Sequence, residues 1–225
     1  MDANYFLGCR LDLVEHFYRQ AAVPFQATME AITGGKPPFD SPPYSEDGEP
    51  PYEVEYYRER DCLRLLGATS LSSLAGSLQV FLDTLLTLHG DQAQFLKTSS
   101  EGGWWGRHQR YYSGCGLDFA QSGANLDLLN DVVLARNSVM HQTYLANESA
   151  SYRDDDLNKL TRPFFVSESE ETLLNGLGDD GTPYLFSPTI EVNAQKLGIA
   201  IAEIRRLGRW LEDSIWEKKL SKMEI

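Results

Sequence analysis

A guanidinium, a carboxamide and an imidazole fall within the six residues Arg136-Asn137-Ser138-Val139-Met140-His141. That combination suits a phosphodiester. RNA carries its own nucleophile, a 2′-hydroxyl beside each phosphate, so cleavage needs only a proton acceptor working near neutral pH, positive charge for the pentavalent transition state, and positioning. The His141 imidazole can take the 2′-proton or protonate the 5′-leaving oxygen. Arg136 stays protonated and cannot be the base, but its fork matches phosphate oxygens. Asn137 can orient His141 or bind the scissile phosphate. This chemistry calls for no metal and no cofactor, and no carboxylate or Cys/His cluster near the segment has metal-ligand spacing.

A helix must position these groups. Leu129, Val132, Val133, Val139 and Met140 recur at steps of three, four and seven, which predicts a helix over roughly 125 to 144 with one apolar face. Arg136 falls in the middle of that face and needs a partner wherever the face packs, because an unpaired buried charge is costly. Asn130, Asn137 and His141 follow a neighbouring ridge, which puts the amide and the imidazole in mutual reach. Arg136 and His141 are about 140° apart around an ideal helix. They can meet only through the length of the Arg side chain, a distorted helix end, or a second copy of the chain.

Arg136, Asn137 and His141, with four residues between the Arg and the His, resemble the motif of the HEPN superfamily (higher eukaryotes and prokaryotes nucleotide-binding). The resemblance covers the motif helix; elsewhere it extends only to a helical pattern. It implies an all-α bundle, a homodimer in which two motifs line one cleft, and in many members a metal-independent endoribonuclease acting as a toxin or defence effector. Arg10 and His16 share the spacing class but lack the following Asn. HEPN toxins paired with a nucleotidyltransferase antitoxin often carry a Tyr two residues after the His. Here Gln142 and Thr143 intervene, so Tyr144 is a regulatory candidate standing one position late. The partners implied are a second copy, an RNA substrate and an antitoxin protein.

A second constellation precedes the motif: Trp104, Trp105, Arg107, His108, Arg110, Tyr111 and Tyr112, flanked by Gly102-Gly103 and Gly114. Aromatics interleaved with cations suit stacking of unpaired bases and neutralisation of phosphates. Trp104, Trp105, Arg107, His108 and Arg110 are therefore RNA-binding candidates, and His108, exposed by context, a second catalytic one. The competing reading makes the paired Trp an anchor of a glycine-flanked loop on the core. His16 and His89 lie near apolar stripes and read as core or edge histidines.

The chain has 225 residues, enough for one sizeable core, and reads as a single domain over 1 to 225. Its 20 Lys plus Arg against 33 Asp plus Glu give a net charge of −13, which rules out a general nucleic-acid electrostatic footprint. The imbalance is uneven: residues 62 to 150 carry 7 acids and 5 bases, so the middle of the chain is close to balanced and can hold a local basic cleft. Cys9, Cys62 and Cys115 are isolated and odd in number, which reads as reduced thiols in a cytoplasmic protein. No basic start precedes an apolar core, and Asp83 interrupts the most apolar run, Leu78 to Leu88, so neither a signal peptide nor a membrane span is expected.

Periodicity predicts a bundle of about five helices. Leu7, Leu11, Val14, Tyr18 and Ala21 stripe the first, which Pro24 kinks or breaks and Gly34-Gly35 ends. A charged second helix over about 53 to 66 stops at Gly67, and a third begins with Ser70 as N-cap, carrying Leu71 to Leu85 to the core before Gly90. The motif helix is fourth. The fifth runs from about Val192 to Leu220, with Leu197, Ile201, Ile204, Leu211 and Ile215 inward and Arg205, Arg206 and Arg209 outward or sideways.

Two irregular insertions interrupt this pattern, a Pro-rich loop at 35 to 51 and an acidic stretch at 146 to 190. Within the latter, Phe164-Phe165-Val166 and Tyr184-Leu185-Phe186 can pair as a short β-hairpin. Two function classes follow: a HEPN-type endoribonuclease, or a non-catalytic HEPN-like module that binds nucleotide, RNA or a protein partner and keeps the motif as an interface network.

Overall fold

The computed structural model of the chain describes residues 2–41, 50–141, 150–167, 169–172 and 187–223. It is 75% helical, with no strand among the described residues, and forms an all-α bundle. In chain order the elements are α1 (Ala3–Thr33), α2 (Glu53–His89), α3 (Gln92–Lys97), α4 (Gly103–Gly114), a 3₁₀ turn (Phe119–Ser122), α5 (Leu126–Met140), α6 (Asp154–Leu157) and α7 (Ala194–Met223).

Helix α2 is the central element. Its Leu71, Leu74, Leu78, Leu82 and Leu85 are fully buried, and α1, α5 and α7 pack around them with Leu11, Leu129, Val132, Leu197, Ile204 and Leu211. By length and composition α2 could also cross a membrane, but 61% of its most apolar window is buried inside the protein, which is what a core helix does. At the start of α1, Asp2 caps Tyr5 N at 2.8 Å. The buried Glu212 of α7 accepts from Ala3 N and Asn4 N, both at 3.0 Å. A carboxylate there satisfies free helix donors and complements the helix dipole.

Three boundaries differ from the sequence reading. Pro24 lies inside a continuous α1 rather than ending it, and Gly34 caps the helix as expected. Gly67 does not stop a helix, and Ser70 caps nothing: the two predicted helices are one, running through both residues. The reason for the glycine is proximity, since a Cβ there would lie 2.6 Å from Val192 O. The Trp104 to Tyr112 segment, expected as a loop, forms α4. Among the described residues the bundle thus has five long helices, but α4 replaces one of those anticipated.

The expected inward residues of α7 are all buried, and Arg205 pairs with Asp12 at 2.6 Å. His16 is exposed rather than at a core edge, while His89 is half-buried beside Lys219. The hairpin partner Tyr184-Leu185-Phe186 and the Pro42-Pro43 part of the first loop lie outside the described residues. The pairing present among the described residues is an antiparallel bridge between Ser151 and Thr189, with Glu191 N donating to Phe165 O at 3.0 Å. These two strips, 150–167 and 187–192, form an irregular clasp over α5, burying Tyr152, Leu157, Phe165, Val166, Ile190 and Val192.

Candidate functional site

The motif occupies the last turn of α5. Asn125 opens the helix by accepting Leu128 N at 3.0 Å, and His141 closes it as C-cap, its N–H bonded to Asn137 O at 3.0 Å. Arg136 is half-buried, and its Nη1 donates to Asn137 Oδ1 at 3.0 Å. That contact gives Arg136 a partner, and it engages the Asn137 amide oxygen with the guanidinium. His141 is exposed. Met140, expected in the apolar face, is 56% exposed. Tyr144 lies outside the described residues.

The side of α5 facing away from Arg136 is pinned by a polar network that the sequence reading missed. Asp131, 1% exposed, accepts from the Tyr152 hydroxyl at 2.7 Å and from Phe164 N. Tyr152 Oη in turn accepts from Phe165 N at 3.3 Å, and Lys196 of α7 donates to Phe164 O at 2.8 Å. One turn before the motif ends, the buried Ser138 Oγ accepts from Arg153 N at 3.1 Å and donates to Asp156 Oδ2 at 3.4 Å. Asp131 and Ser138, seven apart, share a face of the helix. They fix its rotation and so decide which way Arg136 and His141 point. The sequence signal was an Asp and a Ser at heptad spacing amid an apolar run.

Burial raises the Asp131 carboxyl from 3.8 to about 6, against the lowering pull of Phe164 N–H, the Tyr152 hydroxyl and Lys196. The unfolded chain therefore loses this proton first. Stability contributed by the protonated group is complete below about pH 4 and declines as pH rises through about 6, by about 3 kcal/mol in total. Asp131→Asn should remove that decline, because a carboxamide does not titrate in this range while its oxygen can still accept from Phe164 N. Urea unfolding of both proteins between pH 4 and 7.5 checks this; parallel pH profiles would refute it.

The second constellation is divided by the fold. Trp105 (2% exposed) and His108 (1%) are core residues, so neither is an exposed base platform or an exposed catalytic group. Trp105 packs on Phe119, and the His108 ring lies 4.8 Å from Phe95, with Nδ1 2.8 Å from Trp104 O and Nε2 3.1 Å from Asp83 Oδ1. Periodicity explains it: 105, 108 and 112 line the inner face of α4. Arg110 is exposed but engaged, donating to Ser99 O at 2.8 Å and to Glu101 O, which holds the preceding loop. Trp104 and Arg107 remain half-buried, beside a cavity of about 330 Å³.

Comparison of the chain with protein-family models, with curated proteins and with solved structures finds no match.

Proposed function

We propose that the chain is a metal-independent endoribonuclease of HEPN type that works as a homodimer, with His141 as the proton-transfer group and Arg136 as the phosphate clamp. The observation carrying this reading is the arrangement at the end of α5: an exposed imidazole at the C-cap and, five residues earlier, a guanidinium steadied by Asn137, on a helix whose rotation is held by Asp131 and Ser138. Arg136 and Met140, four apart, share a face that the single chain leaves open at Met140. That open face is where a second copy would approach, bringing its His141 toward this Arg136 across a two-fold axis. A toxin or defence role, with an antitoxin as partner, belongs to the same reading.

The test is cleavage of labelled RNA by the purified protein in EDTA, with light scattering on the same sample. Cleavage leaving 2′,3′-cyclic phosphate ends, by a dimer, is the expected result. A monomer at micromolar concentration would overturn the assembly. The second reading, a non-catalytic HEPN-like module, is favoured by one observation: the Asn137 amide is turned to Arg136, so that no side chain of the motif orients His141 within one chain. RNA or nucleotide binding without cleavage would select it.

A further inference from the structure

Away from the motif, a cavity brings together the rings of Phe95, Trp104 and His108, the Arg107 guanidinium and the Asp83 carboxylate. It lies between α2, α3 and α4 and is lined by Gln79, Asp83, Phe95, Trp104, Arg107 and His108, among others. His108 is buried, and its Nδ1 donates to Trp104 O at 2.8 Å, which fixes the ring. Its Nε2 lies 3.1 Å from Asp83 Oδ1, an ion pair when the ring is protonated, and the carboxylate is half-exposed. Trp104 Nε1 and Arg107 Nε are buried without a hydrogen-bond partner among the described residues. The Arg107 guanidinium lies over the Phe95 ring, 5.6 Å from its centroid. Unsatisfied buried donors are rare in a folded protein, and two of them at one hollow beside a half-exposed carboxylate mark a place for a ligand that offers both acceptors and donors.

We propose that this cavity binds a guanine base together with its attached phosphate. Guanine presents two N–H donors side by side, at N1 and N2, and a carboxylate accepts such a pair with both oxygens; the other bases offer no such pair on that edge. Asp83 takes those donors. Trp104 supplies a stacking surface beside it. Arg107, braced on Phe95, supplies the fork for the phosphate. The guanine comes either from a free nucleotide or from an unpaired position in RNA. In the second case the cavity is a subsite of the proposed ribonuclease and rests on that reading.

Titration of the full chain by calorimetry, with tryptophan fluorescence as a second readout, tests the assignment. Guanosine monophosphate should bind at least tenfold tighter than the adenosine, cytidine or uridine monophosphates. Asp83→Asn should erase that preference, and Arg107→Ala should weaken the monophosphate while leaving guanosine itself unchanged. Both variants must first melt like the parent. Displacement by an oligoribonucleotide with one unpaired guanine identifies the RNA source, and its failure identifies the free nucleotide. Repeating the titration in His141→Ala separates the proposals, because binding persists there even if cleavage is never seen. Equal affinity for all four nucleotides, no binding at millimolar concentration, or an unaltered preference in Asp83→Asn would overturn the guanine site.

Discussion

His141→Ala is expected to cut RNA cleavage by about 10²-fold or more while leaving RNA affinity almost unchanged. The asymmetry follows from position. His141 is an exposed C-cap residue, so removing its ring takes away proton transfer without touching the core. Arg136→Ala should lose both cleavage and affinity, since it removes the phosphate clamp and leaves Asn137 Oδ1 without its donor. Arg136→Lys should rescue only part, because an ammonium supplies charge but no bidentate fork. His16→Ala, exposed on α1 and far from the motif in sequence, should cleave normally. Dimerisation and melting of each variant come first. Metal-free cleavage that continues unaltered in His141→Ala would end the ribonuclease assignment of this site and move the binding-module reading ahead.

Trp105→Ala should cost about 3–5 kcal/mol of stability, the range for removing a large aromatic side chain from a packed core. Trp105 is 2% exposed and packs against Phe119 and Trp104, so the vacated volume has little solvent-facing route by which to collapse. Urea denaturation gives the number directly. Trp104→Ala, at a half-buried position, should cost clearly less. Were Trp105 a base-stacking residue, its removal would instead lower RNA affinity and leave the unfolding midpoint near that of the parent.

The all-α class and the long outer helices were legible because their apolar residues recur with helical period: Leu7, Leu11, Val14 and Tyr18 in α1, and Leu197 through Ile215 in α7. Gly67 was misleading because a glycine that ends a helix and one that admits a neighbouring backbone are the same letter. Only the approach of Val192 distinguishes them. In α4 the inward residues are Trp105, His108, Tyr111 and Tyr112, whose polar tips mask an apolar face from a hydrophobicity count.

At the motif, the spacing located Arg136, Asn137 and His141 on one helix end but not the Arg136–Asn137 contact, a choice of rotamers between adjacent residues. The clasp was out of reach for another reason. Asp131 with Tyr152 and Phe164, and Ser138 with Arg153 and Asp156, are pairs joined across an irregular segment with no period to read.

Glu212, which holds the first backbone amides of α1, ties residues more than two hundred positions apart. During synthesis α1 emerges well before α7 and cannot obtain this cap, or the cover that α7 lays over Leu7 through the close-packed Gly208, until α7 has followed it. Until then the buried stripe of α1 has α2 and, at Tyr18, the strip at Val192 against which to pack. Closure of the domain therefore rests on contacts of long sequence separation, and a chain shortened before α7 lacks both the cap on α1 and the cover over Leu7.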